Sequence, residues 1–213
     1  MFFEFADIAY PLGNDRKICV SGTLNEHEVL VIRGASGAGK STLLRVFARL
    51  QPASGGRCIL NGEDWEDMPS ERWRTNIFYL AQKPTIFDGS VRSNLLKPFE
   101  TKFLYPKYHL EILKYAEKLL AQLLLPVEIL DQDAKTLSGG EAARIVFIRS
   151  LLIDPQVILL DEPTSALDET SQKAFYDVLS EWLSKPGHAA VIISHNSDYT
   201  LLPNLSYLDI CEA

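Results

Sequence analysis

Cysteine is scarce. Cys19, Cys58 and Cys211 are scattered, odd in number and form no C-x-x-C pair. Neither a disulfide framework nor a zinc site is expected, and a reducing compartment fits better. A basic excess is also missing, since 21 Lys and Arg face 28 Asp and Glu, a formal net charge of -7. Duplex nucleic-acid binders usually carry the opposite balance, so no nucleic-acid partner is expected. No apolar run reaches the ~18 residues of a membrane span. The strongest candidate, residues 119–130, is interrupted by Gln122, Pro126 and Glu128. The opening Met1-Phe2-Phe3-Glu4-Phe5-Ala6-Asp7 has early acids and no basic stretch, so it does not read as a secretory signal. If the protein works at a membrane, another chain is expected to supply the spans. Internal repeats and low-complexity segments are absent.

What is present is the pattern of one well-cored domain over residues 1–213. Residues 28–33 read as a buried strand. A glycine-rich loop follows, then a helical stretch from Lys40 to about residue 50, ended by Gln51-Pro52-Ala53-Ser54-Gly55-Gly56. Residues 57–60 form a short strand, Asn61-Gly62 is a tight-turn dipeptide, and residues 77–80 are β-rich. In residues 111–125 the period becomes helical, with Ile112, Leu113, Ala116, Leu119, Leu120, Leu123 and Leu124 on one face. Further helices are predicted over 139–152 and 171–183, and strands over 157–161 and 189–194. Residues 99–109 carry no assignable pattern. Strands alternating with helices imply an α/β fold with a mainly parallel core sheet. The core is expected to take residues 1–82 and 151–213, with a helical subdomain inserted over about 83–150.

The segment Gly34-Ala35-Ser36-Gly37-Ala38-Gly39-Lys40-Ser41-Thr42 fits G-x-x-x-x-G-K-[ST] and lies between a strand and a helix. Its glycines let backbone N–H groups curl round a β-phosphate, and the helix start adds a positive dipole end. Lys40 can reach the β- and γ-phosphates, and the Ser41 hydroxyl can ligate Mg²⁺. Thus ATP with Mg²⁺ is the expected ligand. Asp161 and Glu162 follow an apolar strand. A strand-end aspartate can hold Mg²⁺, and the next acid is placed to polarise an attacking water, although both acids could simply cap the Pro163-Thr164 turn. Ser138 and Glu141 in Leu137-Ser138-Gly139-Gly140-Glu141 also spell a capping box, so a plain helix start remains an alternative there.

The order of phosphate loop, Leu137-Ser138-Gly139-Gly140-Glu141, helix and acid-ended strand closely resembles the ATP-binding cassette (ABC) ATPases. The resemblance covers nearly the whole chain. It implies a P-loop NTPase (RecA-like) core with an N-terminal antiparallel β portion. It implies that Ser138, Gly139, Gly140 and Glu141 cap the γ-phosphate bound by a second copy in a head-to-tail dimer. Ser165, Ala166, Leu167 and Asp168 match the family segment along the dimer seam. Gln82 matches the glutamine that contacts Mg²⁺ and the lytic water, His195 the histidine near the γ-phosphate, and Tyr10 the aromatic that stacks on adenine, with a place in the core as the alternative for Tyr10. An integral membrane permease is the implied partner, which puts the chain on the cytoplasmic, inner face of the cell membrane. Two positions depart from the pattern: Ala143 stands where the family often has Gln, and the turn Asn25-Glu26-His27-Glu28 lacks the usual Gly. Residues 79–87 and 91–95 look like the small bacterial ABC subunits assigned to iron export. A non-transport ABC ATPase, such as a cofactor-assembly ATPase, is the alternative. A plain P-loop kinase would leave Ser138-Gly139-Gly140-Glu141 unexplained.

Overall fold

The computed structural model describes residues 2–13, 16–101, 104, 109–194 and 198–210. Two sheets organise it. Strands β1 (Phe3–Leu12), β2 (Arg16–Leu24), β4 (Gly55–Leu60) and β5 (Glu63–Asp64) form an antiparallel sheet in the order β2-β1-β4-β5. Strands β3 (Val29–Arg33), β6 (Ile77–Leu80), β7 (Val157–Asp161), β8 (Ala189–Ile193) and β9 (Leu205–Asp209) form a wholly parallel sheet in the order β6-β7-β8-β3-β9. The expected parallel core and antiparallel N-terminal portion are both there. Helices are α1 (Lys40–Phe47), α2 (Ser70–Asn76), α3 (Val91–Leu96), α4 (His109–Gln122), α5 (Gly139–Ile153) and α6 (Glu169–Leu183).

The parallel strands are apolar throughout because both of their faces are covered. Alternate residues divide between two cores. Ile158 and Leu160 of β7, with Val29, Val31, Ala190 and Ile192, pack with α3, α4, α5 and α6. Val157 and Leu159, with Leu30, Ile32 and Val191, pack with α1 and the antiparallel sheet. Each such buried Val, Leu or Ile side chain contributes about 1.5–3 kcal/mol. Helices α3, α4 and α5, in the stretch expected as an insertion, therefore share one apolar cluster with α6 and a sheet face, and α5 runs on past residue 150 to Ile153.

Aromatic packing fixes α1. The Phe47 ring meets Phe3 edge-on at 5.5 Å and Phe5 at 4.8 Å between ring centres. Trp73 Nε1 donates to Phe47 O at 2.7 Å, satisfying a carbonyl that the helix end leaves without an internal partner. Cys19 is exposed and Cys58 buried, both as free thiols, and Cys211 lies outside the described residues. Among the described residues no helix is long and apolar enough to cross a membrane.

Candidate active site

The site gathers at the carboxyl ends of the parallel strands, where open α/β sheets hold ligands. The loop after β3 leads through Gly39 into α1. Gly39 sits at φ 90, and a Cβ there would stand 2.9 Å from Leu12 Cδ1 and 3.2 Å from Tyr10 Cε2. The backbone angle favours glycine, and a side chain there would press on Leu12 and Tyr10. Lys40 is buried, and its Nζ donates to Gly34 O at 2.8 Å and Ala35 O at 2.9 Å. An ammonium has three donors, so two brace the loop and one is left for another acceptor. Residues Gly34, Ala35, Ser36 and Gly37 form the exposed rim.

Ser41, in the first turn of α1, donates from Oγ to Asp161 Oδ1 at 2.9 Å. Asp161 ends β7 and is only 4% exposed. A carboxylate so buried needs hydrogen-bond donors. Its second oxygen, Oδ2, receives the phenol of Tyr79 at 2.8 Å. Burial, then the bond to Asp161, raises the Tyr79 phenol above its ordinary range. In the sequence Tyr79 figures only as the first residue of the 79–87 resemblance, with no role in the site; its one signal there is a phenol on the strand that ends just before Gln82.

Glu162 follows at φ 49, a left-handed backbone that non-glycine residues adopt seldom. Its N–H donates to Ile193 O at 2.9 Å, which ties it to the end of β8. Gln82 Nε2 donates to Glu162 Oε2 at 2.8 Å. The residues read as metal and water ligands thus form two bonded pairs, Ser41 with Asp161 and Gln82 with Glu162. Hydroxyl, carboxylate and amide oxygens are what a hard divalent cation takes, and Mg²⁺ held together with phosphates needs only one or two carboxylates from the protein. Among the described residues no three His, Cys, Asp or Glu side chains cluster as a metal cage.

For Tyr10 the structure favours the core alternative. Its ring is fully covered, and its hydroxyl donates to Gly39 O at 3.2 Å, with burial pushing the phenol up to about 12. With no ring face open to a base, Tyr10 is a core residue that braces the phosphate loop from below. Leu12, two residues along β1, is partly exposed. His195 lies outside the described residues.

The segment 138–141 opens α5 with a complete capping box. Ser138 N–H and Oγ both donate to Glu141 Oε2 at 2.8 Å, and Ser138 Oγ accepts from Glu141 N–H at 3.3 Å. These bonds hold the Glu141 carboxyl below the usual carboxylate range. Ser138 and Gly139 are exposed. A Cβ on Gly140 would approach Ala166 O to 3.1 Å, so the turn packs closely on the segment after Glu162. In that segment Ser165 and Ala166 are exposed, Leu167 is buried, and Asp168 caps α6 by accepting from Ser171 N–H at 2.8 Å. Among the described residues no hydrogen bond joins residues 138–141 to the phosphate loop.

A phosphate loop on α1, a strand-end acid pair and a glycine turn capping a helix define a nucleotide-binding cassette. The chain belongs to the ABC transporter family, whose model matches residues 19–165, more than half of its length. It is an ATP hydrolase of that family. It is 34% identical over 197 residues to the probable iron export ATP-binding protein FetA of Escherichia coli, covering 92% of this chain and 85% of that protein. It is 36% identical over 172 residues to the molybdate/tungstate import ATP-binding protein WtpC of Methanocaldococcus jannaschii, covering 80% of this chain and 55% of that one. This chain therefore matches little more than half the length of the second relative. A dimeric ATP-binding cassette solved in a post-hydrolysis state with ADP and Pi superposes with a TM-score of 0.83 at 23% identity, over 98% of this chain and 95% of that one.

Proposed function

We propose that two copies of this chain close head to tail on two Mg-ATP molecules and power a membrane permease that exports metal, with iron as its cargo. The observation that carries the dimer is the separation of two halves of one site. The phosphate loop with Lys40, Ser41, Asp161 and Glu162 forms one half. The exposed start of α5 at Ser138 and Gly139 forms the other, and no hydrogen bond among the described residues connects them. A second copy supplies the missing half to each nucleotide.

In this reading the loop N–H groups and Lys40 hold the β- and γ-phosphates. Ser41, Asp161 and Gln82 hold Mg²⁺, which when bound neutralises phosphate charge. Glu162 accepts a proton from the attacking water. The contact of Gly140 with Ala166 couples the start of α5 to the strand-end acid within one chain.

A groove of about 740 Å³ walled by Phe78, Phe87, Pro98, Leu104 and Ile153 supports docking of a permease segment at the cytoplasmic face. The likeness to an iron-export subunit of similar length supports iron as the cargo. The iron passes through the permease, not through this chain. The test is ATPase activity and iron efflux with and without the co-expressed permease. Stimulation together with lowered cell iron is expected. Activity indifferent to any membrane partner would favour the cofactor-assembly reading instead.

A further inference from the structure

We infer that Tyr79 is a positioning residue for the Mg²⁺ site, acting through Asp161. Asp161 has two oxygens with different partners: Oδ1 takes the Ser41 hydroxyl at 2.9 Å and Oδ2 takes the Tyr79 phenol at 2.8 Å. The two bonds fix the carboxylate plane between α1 and β6. Without the phenol, a buried Oδ2 would lose its donor, and the carboxylate would be free to rotate away from Ser41. Tyr79 itself is partly buried. It is clamped in β6, whose register against β7 pairs Tyr79 with Leu159, and its ring packs on the core beneath α1. Arg45 stays nearby, with its Nε on Ser41 O at 3.2 Å.

An outer hydrogen-bond partner of this kind orients a metal ligand without touching the metal, and its loss typically costs about 10- to 100-fold in metal affinity. Tyr79→Phe removes only the hydroxyl and keeps the ring. In this variant the Mg²⁺ concentration for half-maximal ATPase activity should rise by about 10-fold. Turnover should recover at saturating Mg²⁺. ATP affinity in EDTA, read by fluorescent-nucleotide titration, should match that of the parent, while the gain in affinity on adding Mg²⁺ should shrink.

The inference rests on the assignment of Asp161 to Mg²⁺, and the two fail differently. If the parent protein shows no Mg²⁺-dependent gain in ATP affinity, the assignment itself falls. If the parent shows that gain and Tyr79→Phe leaves it and the half-activating Mg²⁺ unchanged, the role of Tyr79 is overturned. An equal loss of ATP affinity with and without Mg²⁺, or a lowered melting temperature alone, would likewise reduce Tyr79 to packing.

Discussion

Gln82 and Glu162 meet across 2.8 Å, the amide Nε2 donating to the carboxylate Oε2. The bond joins the loop after β6 to the acid after β7. It places beside Glu162 the residue whose loop carries Phe87 to the apolar groove. Glu162→Gln keeps the shape and removes the proton acceptor. It should bind ATP as the parent does and lose about 10²- to 10⁴-fold in turnover. Single-turnover hydrolysis together with a nucleotide titration checks this, and parent-like turnover would end the assignment.

Lys40→Ala removes a cation that grips the phosphate loop. Charge-assisted hydrogen bonds of this kind contribute about 1.5–3 kcal/mol, so ATP binding should weaken by that amount. Calorimetric titration measures it. A loss of turnover with unchanged ATP affinity would mean that Lys40 acts on the reacting phosphate alone.

Tyr10 gives opposite forecasts for a core and a stacking residue. As a fully covered ring, Tyr10→Ala should destabilise the fold by about 3–5 kcal/mol. Tyr10→Trp should overpack the site at a cost of about 1–3 kcal/mol, although tryptophan is the better stacking surface. Urea unfolding of both variants decides. Parent-like stability with weakened ATP binding in Tyr10→Ala would return Tyr10 to the base pocket.

Acid should weaken the fold through its capping carboxylates. His188, chiefly by its hydrogen bond, holds the Asp154 carboxyl below the usual range. The group's contribution is complete above the unfolded carboxylate value and is lost as pH falls through the lowered folded value. Asp154 also closes α5 at φ 54, a backbone that asparagine accepts. Asp154→Asn should therefore fold, and its urea midpoint should fall less steeply on acidification than the parent's. Identical pH slopes would remove the pair from the account.

How much of this was legible in the sequence depends on how local the signal is. The phosphate loop, the strand at Val157–Asp161 and the capped start of α5 are each written in consecutive residues, and each stands where expected. Strands β1 and β2 were not individually readable. Phe3 and Phe5 face inward, but a register shift between Phe5 and Ile8, with Asp7 at φ 52, throws Ile8 and Tyr10 out of the simple alternation. The edge strand β9 has only partly buried and exposed side chains, so it lacks the apolar run that marks its neighbours. Helix α2 buries Trp73 alone, too little for a period. Distance along the chain gave Tyr10 a role but could not say which face its ring would take. The Tyr79–Asp161 bond spans two strands and left no trace in either.

The central claim is that one ATP needs two chains, and the mass of the Glu162→Gln protein tests it most directly. Static light scattering should read 23.9 kDa without nucleotide and twice that with saturating Mg-ATP. Adding Ser138→Arg to the same protein should return the mass to that of one chain. A Glu162→Gln protein that binds Mg-ATP and still reads 23.9 kDa would contradict the composite site.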